Sequence, residues 1–319
     1  MNTKEKVYQY LSDAVGPVSG ENMAEKLHLS RTAVWKAIKA LQNEGHEILA
    51  KPKEGYSLLK KSINFNTQSI MNLLDSHIKS DVFVFDTIDS TNTYAKKIAE
   101  ANAKDWTLII AKNQSAGRGR FERNFYSPQG GLYMSFIIHP KIKLEDINLI
   151  TMNAALAVCD AVKKYFNLDL GIKWVNDLFL NDKKVVGILT EAAIDFESKT
   201  FKYIVVGIGI NLKLTDVPVE LTELITDINV DDDFDKNLLV AEIVNSFYKN
   251  LSKNKKELAQ EYRSKSIVLN EEVLIFGNYN GQAKVIDITD DGELLVITSD
   301  QQKLKLNSGE ISLRRLNHE

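Results

Sequence analysis

The chain has a single cysteine, Cys159, among its 319 residues. Because no second thiol is present, a disulfide within the chain is excluded, and a metal site built on cysteine is not expected. Cys159 falls in an apolar, helix-like stretch at 152–165. Its expected role is therefore packing.

Long apolar runs are also missing. No stretch approaches the roughly 18 apolar residues that cross a bilayer, and the first residues, Met-Asn-Thr-Lys-Glu-Lys, form no basic and then apolar leader. These features predict a cytoplasmic protein without a membrane anchor. The formal net charge of -3 indicates no class of partner for the whole chain. No repeat or low-complexity tract stands out apart from an acidic stretch at 231–235.

Length and composition predict two or three domains with ordinary cores, since 44% of the 319 residues are hydrophobic. We expect domains over 1–62, 67–268 and 269–319, with the polar segment 60–66 as a linker. Strands and helices alternate in the middle region, which predicts an α/β body. Short strands separated by Gly-Asn-Tyr-Asn-Gly and Asp-Asp-Gly turns predict a small antiparallel barrel at the end.

The first region carries three amphipathic helical patterns followed by a hairpin at 48–58. Ser19 and Ser30 are placed as N-caps, and Gly45 is placed to end the third helix. When Val34, Ile38 and Leu41 pack inward, the opposite face of the helix predicted over 31–44 is basic and rich in hydrogen-bonding groups. This pattern is typical of a winged helix-turn-helix whose third helix enters a major groove.

The predicted DNA contacts combine this helix face with the helix caps and the hairpin tip, where lysines suit phosphate contacts. They are Ser19, Ser30, Arg31, Thr32, Trp35, Lys36, Lys39, Lys51 and Lys53. The charge count argues against a strong electrostatic footprint, because residues 1–60 hold nine Lys and Arg against seven Asp and Glu. Winged helices also serve as protein-interaction modules, so both interpretations stay open.

The segment Gln114-Ser-Ala-Gly-Arg-Gly-Arg-Phe-Glu-Arg123 places three arginines and two glycines directly after an apolar strand predicted at 106–111. Guanidinium groups and exposed glycine backbone can bind a phosphate or a carboxylate. A solvated charged hairpin is the alternative interpretation.

Three further segments suggest ligand chemistry. Ser90-Thr91-Asn92 follows a strand at 82–85 and begins a helix, which alone indicates only a helix cap. Lys173-Trp-Val-Asn-Asp177 precedes a predicted hairpin that turns at Asn181-Asp182 and continues through Lys184 to Gly187, although a lysine after such a turn is usually solvated. The strand 205–211 carries Gly207 and Gly209 on one face, which indicates a close approach to its backbone.

Together, these four segments resemble the catalytic domain of the biotin protein ligases. Ser-Thr-Asn, Gln-x-x-Gly-Arg-Gly-Arg, Lys-Trp-x-Asn-Asp, a lysine before Val-x-Gly-Ile-Leu and Gly-x-Gly-Ile-Asn occur in the family order. Segments 54–58 and 309–314 also look like family landmarks. The resemblance therefore extends over the whole chain and implies the bifunctional branch, a biotin ligase and biotin operon repressor.

The resemblance implies three folds in succession. These are an N-terminal winged helix-turn-helix, a central α/β ligase domain of the class II synthetase kind with a mixed sheet, and a C-terminal SH3-like β-barrel. It also implies an enzyme that forms biotinyl-5′-AMP from biotin and ATP and passes the biotin to a lysine of a biotin carboxyl carrier domain of a biotin-dependent carboxylase. The adenylate-bound homodimer would bind operator DNA.

The chemistry brings two anions together, so cationic stabilisation is expected to dominate and no histidine is needed in the motifs. By resemblance, the catalytic residues are Lys184, Arg118, Arg120 and Asp177, the last orienting Lys184 or a Mg²⁺ ion. The implied biotin-binding residues are Ser90, Thr91, Asn92, Gln114, Gly117, Arg118, Gly119, Arg120, Lys184 and Gly187. The implied nucleotide-binding residues are Arg120, Arg123, Phe125, Asn176, Lys184, Gly207, Gly209 and Asn211.

One position departs from the family pattern. Relatives commonly carry a tryptophan as a lid over the adenine where this chain has Phe125, which offers a smaller stacking face and no indole N–H. Either the adenylate is held more weakly or another residue compensates. Two alternative functions are a lipoate ligase, which the complete Gly-Arg-Gly-Arg motif and Lys173-Trp174 oppose, and a biotin-sensing repressor without ligase turnover.

Overall fold

The structure is a computed structural model that describes residues 2–43, 45–52, 54–60, 64–195, 197–277, 279–307 and 311–315. Lys53 of the predicted DNA contacts, Glu44 at the predicted helix end, residues 61–63 of the predicted linker and the landmark residues Gly309 and Glu310 lie outside these ranges. The chain forms two compact units. One comprises Met1–Leu73 with Asp232–Leu238, and the other Leu74–Asp231 with Leu239–Glu319.

The helices are α1 (Thr3–Asp13), α2 (Gly20–Lys26), α3 (Arg31–Asn43), α4 (Thr67–Leu73), α5 (Thr91–Glu100), α6 (Ile147–Phe166), α7 (Lys236–Asn250) and α8 (Lys255–Lys265). The strands are β1 (Glu47–Lys51), β2 (Gly55–Lys60), β3 (Val82–Ile88), β4 (Leu108–Gln114), β5 (Gly131–Ile138), β6 (Gly171–Lys173), β7 (Asp177–Leu180), β8 (Lys183–Asp195), β9 (Thr200–Asn211), β10 (Glu272–Gly277), β11 (Gly281–Ile288), β12 (Leu294–Thr298), β13 (Lys303–Leu306) and β14 (Ile311–Arg315).

The first unit contains the predicted helix-turn-helix and its hairpin. Its core joins the apolar faces of α1, α2 and α3, as the periodicity predicted. Ser19 accepts a hydrogen bond from the Asn22 N–H, and Ser30 accepts one from the Ala33 N–H, so both predicted caps are confirmed. Gly45 has φ +91° and follows the end of α3, where left-handed backbone favours glycine. The antiparallel pair β1–β2 is the predicted hairpin.

Helix α4 groups with this first unit, outside the α/β body. Tyr8 on α1 contacts Ser69 on α4 through their hydroxyl groups at 3.2 Å. Asn237 is fully buried, donates to the Asn64 carbonyl and accepts from the Asn66 N–H at 2.8 Å. Segment 232–238 is therefore held by hydrogen bonds to the residues that precede α4.

The second unit contains a seven-stranded mixed sheet with the order β3-β4-β5-β9-β8-β7-β6, in which only β3 and β4 run parallel. Helix α5 packs on one face against β4, β5 and β9, and α6 packs on β8 and β9. Asn181 and Asp182 have φ +49° and +63° and join β7 to β8, so the predicted two-residue hairpin is confirmed.

The predicted strand at 106–111 is wrong at its first two residues. Trp106 has φ +64°, which is not a strand conformation, and its N–H donates to the Ile137 carbonyl at 2.7 Å. Strand β4 begins at Leu108 and continues to Gln114. The indole of Trp106 packs against Phe136, Phe247 and Tyr248. This aromatic contact outweighs the strand propensity of the local sequence.

Helix α6 passes through the interior, and most of its side chains are buried. Cys159 lies on it with 2% of its surface exposed, as its apolar neighbours predicted. Burial raises the pKa of the Cys159 thiol to about 12. This thiol is therefore protonated and unreactive near neutral pH.

The C-terminal strands form a five-stranded antiparallel sheet with the order β13-β12-β11-β10-β14. Its β11–β12 turn docks against the α/β body. Lys255 on α8 forms ion pairs with Asp291 in the turn and with Asp146 before α6, at 3.1 and 2.6 Å. The Gly292 carbonyl accepts a hydrogen bond from the Trp174 indole at 2.9 Å. Among the described residues, no helix is long and apolar enough to span a membrane.

Candidate active site

The four segments predicted to bind a ligand converge on one cleft of about 190 Å³. Fifteen of the seventeen predicted ligase-site residues line it: Ser90, Thr91, Asn92, Gln114, Arg118, Gly119, Arg120, Arg123, Phe125, Asn176, Asp177, Lys184, Gly187, Gly207 and Gly209. The cleft lies over β8 and β9, on the sheet face that also carries α5.

Glycines form the floor of the cleft. Gly187 pairs with Gly209 across β8 and β9, so their missing side chains leave a shelf, and Gly207 lies two residues before Gly209 on the same face. A Cβ atom at Gly207 would collide with the Asn92 amide, and one at Gly209 would collide with the Phe125 ring. The expectation of a close approach to these backbones is therefore confirmed.

A chain of hydrogen bonds follows the edge of this floor. Ser90 caps α5, which presents Thr91 and Asn92 to the cleft. The Gln114 side chain accepts from the Thr91 N–H and hydroxyl at 2.8 and 3.1 Å and donates to Ser127 at 3.0 Å. A small ligand with both N–H and C=O groups would find donors and acceptors here.

The Gly-Arg-Gly-Arg segment is folded as a tight turn over the cleft. The Gly119 N–H donates to the Arg123 carbonyl at 2.7 Å, and the Phe125 N–H donates to the Gly117 carbonyl at 2.9 Å. A Cβ atom at Gly117 would collide with Ser127 and with the Phe125 carbonyl. Gly117 does not line the cleft, so its observed contribution is to let the loop fold.

Lys184 and Arg120 place two cations beside one carboxylate. The Lys184 ammonium lies 2.7 Å from Asp177, and Arg120 donates to the Asn176 side chain at 3.2 Å. Burial lowers the pKa of Arg120, Asp177 raises it in part, and Arg123 lowers it again, which leaves the pKa below its ordinary value. Even a lowered arginine pKa leaves the group charged, so the cleft offers fixed positive charge to an anion.

Phe125 lies inside the cleft. Its ring covers Gly209, comes within 2.6 Å of a Cβ built at Gly187, and carries the Lys184 ammonium 5.6 Å above its centroid. It also meets Tyr133 edge to face. Phe121, half exposed with φ +54°, lines the cleft as a second aromatic residue and packs under the Arg120 guanidinium at 5.1 Å.

Asn211 is the second predicted residue outside the cleft lining. It is buried at the end of β9, where its side chain donates to the Thr226 carbonyl at 2.9 Å. Among the described residues, no group of three or more His, Cys, Asp or Glu side chains could hold a metal ion.

Sequence reasoning missed Glu191, Lys96 and Ser135. Glu191 follows Leu189 by two residues in β8 and therefore lies on the same face of the strand, next to the cleft lining, but it is outside every motif. Ser135 is fully buried in β5 and contacts both Thr91 and Asn92. Strand alternation beyond the Val-x-Gly-Ile-Leu segment was the signal that could have found Glu191.

On the first unit, α3 presents its predicted outer face. Arg31, Thr32, Trp35, Lys36 and Lys39 are exposed, and 51% of the Trp35 surface is open. Arg31 forms an ion pair with Glu21, and Lys51 pairs with Glu54 at 3.2 Å in the hairpin. These acidic partners lower the local positive charge.

Three family models match the chain: an HTH domain over 3–57, the Biotin/lipoate A/B protein ligase family over 84–211 and the Biotin protein ligase C terminal domain over 268–314. The bifunctional ligase/repressor BirA of Bacillus spizizenii is 37% identical over 216 residues, which cover 66% of this chain and 66% of that protein. The chain thus spans about two thirds of the length of this relative.

The bifunctional ligase/repressor BirA of Salmonella typhimurium is 31% identical over 230 residues, covering 71% of this chain and 70% of that protein. Among solved structures, a biotin protein ligase from Aquifex aeolicus in complex with biotin and ATP matches with a TM-score of 0.63 and 30% identity. That match covers 74% of this chain and 99% of the Aquifex chain.

A helix-turn-helix unit, a mixed-sheet body with a cationic cleft and a C-terminal antiparallel sheet occur in the order of the three matched family models. With these matches, the chain belongs to the biotin protein ligase family.

Proposed function

We propose that this protein is an ATP-dependent biotin protein ligase that also represses transcription. One observation carries the proposal: segments separated by more than a hundred residues meet in one cleft, with Lys184, Arg118 and Arg120 on its walls and a hydrogen-bonding floor between them. This arrangement suits a ligand with a polar head group and an anionic tail.

In the first step, a carboxylate oxygen of biotin attacks the α-phosphorus of ATP. The new C–O–P bond forms as the bond to pyrophosphate breaks, which gives biotinyl-5′-AMP. Lys184 stabilises the negative charge that accumulates at the phosphate, and Asp177 holds the Lys184 ammonium in place. The attacking carboxylate is already ionised, so the step needs no base.

In the second step, the neutral ε-amine of an acceptor lysine attacks the biotinyl carbonyl. An amide bond forms, the amine loses a proton, and AMP leaves with the electrons of the broken C–O bond. Lys184 remains beside the leaving phosphate and stabilises it. The acceptor is a biotin carboxyl carrier domain of a biotin-dependent carboxylase.

Mg²⁺ would accompany ATP and neutralise phosphate charge. Asp177 is the cleft carboxylate suited to it, but that side chain is paired with Lys184. A single such carboxylate fits an ion held chiefly by the nucleotide, as is usual for Mg²⁺.

The repressor role rests on the exposed face of α3. Arg31, Thr32, Lys36 and Lys39 would contact operator DNA, with Trp35 beside them and Lys51 in the hairpin on phosphates. Ser19 and Ser30 contribute the N-termini of their helices. A homodimer formed with bound adenylate would present two such faces to a two-part operator.

Two tests separate this proposal from its alternatives. A biotin carboxyl carrier domain incubated with the protein, biotin and ATP should gain the mass of one biotinyl group. The same assay with lipoate and a lipoyl domain should give no product. Loss of turnover with retained biotin binding would instead identify a sensing repressor.

Lys184→Ala should abolish adenylate synthesis and leave biotin binding largely intact, because this lysine serves the phosphate. Removing one such donor costs about 10²–10³ in kcat in other enzymes. Pyrophosphate release and biotin titration calorimetry measure the two effects separately. If biotin binding and folding are lost together, the role given to Lys184 is wrong.

A further inference from the structure

Glu191 lies just beyond the cleft lining, where it contacts the lining residues Asn92 and Arg118, and none of the four predicted segments includes it. It shares a face of β8 with Gly187 and Leu189 and pairs with Val205 of β9. Its side chain is 20% exposed. An acidic group this close to an anion-binding cleft would repel the ligand unless its charge were compensated.

Three side chains compensate it. The Lys96 ammonium lies 2.7 Å from one carboxylate oxygen, the Asn92 amide donates to the other at 3.0 Å, and Arg118 lies 3.8 Å away. Burial raises the pKa of Glu191, but the contacts with Lys96, Asn92 and Arg118 outweigh it, and the pKa lies below its ordinary value. Lys96 and Asn92 are one turn apart on α5, so both reach the same carboxylate.

The contact with Asn92 fixes the direction of an amide. Asn92 donates to both Glu191 and the Leu189 carbonyl, and these are groups that only accept. The Asn92 carbonyl oxygen is thereby turned toward Gly207 and accepts from Ser135 at 2.6 Å. If the amide were reversed, two acceptors would face its oxygen at close range.

The fixed Asn92 amide in turn orients the hydrogen-bonding groups beside it on the floor of the cleft. Ser135 also lies 2.8 Å from the Thr91 hydroxyl, and the Thr91 N–H donates to Gln114 at 2.8 Å. The donors and acceptors that meet a ligand's head group are therefore ordered from one half-buried carboxylate. A fully connected polar network is stiff, because each member restricts the next.

We propose that Glu191 is a positioning residue for the ligand's polar head group, acting through Asn92. This inference rests on the proposed function and adds to it a residue outside the family motifs. Because Glu191 is not among the residues that line the cleft, it would touch neither the phosphate nor the reacting carboxylate. Its loss should therefore weaken head-group binding and spare the chemical step.

The test compares Glu191→Gln, Asn92→Ala and the double variant in the acceptor-biotinylation assay. Glu191→Gln should raise the KM for biotin roughly tenfold, the size of one lost charge-assisted hydrogen bond, with kcat within about twofold. The double variant should bind biotin no more weakly than Asn92→Ala alone, because the effect of Glu191 passes through that amide.

Glu242→Gln is the matched control. Glu242 is 21% exposed and pairs with Lys164 at 2.5 Å, away from the cleft. This substitution also replaces a half-buried, lysine-paired carboxylate with an amide. Its KM should equal that of the unaltered chain, and its melting temperature should be close to that of Glu191→Gln.

Three outcomes would each overturn the inference. The effects of Glu191→Gln and Asn92→Ala could add independently in the double variant, or Glu191→Gln could leave the KM for biotin unchanged, or it could lower kcat at constant KM. Unfolding of Glu191→Gln but not of Glu242→Gln would show a structural carboxylate and overturn it as well. The unaltered chain is assayed in parallel. Failure of that chain to biotinylate the acceptor would count against the proposed function, whereas its activity beside an unaffected Glu191→Gln counts against Glu191 alone.

Discussion

Phe125 rests on the glycine shelf of the cleft, which Gly187 and Gly209 form. Its ring fills the space that side chains at Gly187 and Gly209 would need. The ring and the glycine shelf are therefore matched in size. Stability that is lost when a shelf glycine is enlarged should be recovered when the Phe125 ring is removed.

Gly209→Ala should lower the free energy of unfolding by about 1–3 kcal/mol, since its methyl group would overlap the Phe125 ring. Adding Phe125→Ala should remove that penalty, so the double variant should melt no lower than Phe125→Ala alone. Calorimetric melting of the three variants measures this.

Gly207→Ala provides the control, because its methyl group would meet Asn92 and not Phe125. Adding Phe125→Ala should leave the stability loss of Gly207→Ala unchanged. Equal rescue of both alanine variants would show that Phe125 is not the group in conflict.

Arg120 is the loop cation that reaches from the turn to Asn176. An acyl-adenylate is a reactive mixed anhydride, so an enzyme that also uses it as a signal must retain it. Arg120→Gly should leave adenylate synthesis working and speed adenylate release by roughly ten- to a hundredfold, as expected for the loss of about one or two charge-assisted hydrogen bonds.

The assay is labelling of lysines on an unrelated bystander protein by leaked adenylate, with Arg120→Lys as the charge-conserving comparison. Labelling should rise most for Arg120→Gly. If adenylate no longer forms, Arg120 acts in the chemical step, and if adenylate forms without added labelling, Arg120 has no role in retention. Either outcome would refute the retention argument.

The sequence predicted the residues of the cleft walls because they occur in short motifs with recognisable chemistry. Glu191 and Ser135 were not predicted, because each lies in a strand outside the motifs and gains its meaning only from neighbours far along the chain. Asn211 was placed beside the nucleotide, whereas its side chain is turned to Thr226.

Among the helices and strands, the sequence predicted correctly those features that depend on contacts between residues close together in the chain. The caps of α2 and α5 and the Asn181-Asp182 hairpin follow from short-range hydrogen bonding and turn geometry. The start of β4 did not follow, because Trp106 takes a left-handed conformation for the sake of packing with distant aromatic residues.

The β11–β12 turn is an element whose position depends on one glycine. Gly292 has φ +81°, and a Cβ there would lie 2.6 Å from the Met152 sulfur and 2.9 Å from the Asn148 Cβ. Gly292→Ala should therefore lower stability by about 1–3 kcal/mol.

The same substitution should lower ligase activity, because the Gly292 carbonyl holds Trp174, which lines the cleft. Thermal melting and biotin transfer measure the two effects. Gly281→Ala is the comparison, since Gly281 is a second turn glycine with φ +158° whose nearest neighbour is its own turn's Tyr279. Ligase activity lost equally in both variants would argue against a specific link through Trp174.

For the whole molecule, the sequence predicted the order of domains, but the compact units are not contiguous in sequence. Segment 232–238 belongs with the first 73 residues through the contacts of Asn237. No local pattern predicts such a return, because it depends on contacts between residues about 170 apart in the sequence.

Removing residues 2–62 should abolish operator binding and leave a folded, active ligase. Removing residues 2–73 should cost more stability, because Asn237 then loses its partners at Asn64 and Asn66. Melting temperature, DNA binding and acceptor biotinylation are measured for both truncations. Loss of biotin turnover in the shorter deletion would show that the first region contributes to catalysis.

The isolation of Cys159 has a practical consequence for following this protein at work. A thiol that is 2% exposed, with a pKa raised to about 12, should not react with maleimide dyes at neutral pH. Cysteines introduced at Val15 and Val219, both strongly exposed and one in each compact unit, would then be the only labelling sites. Fluorophores could therefore be attached at these two positions without first replacing Cys159.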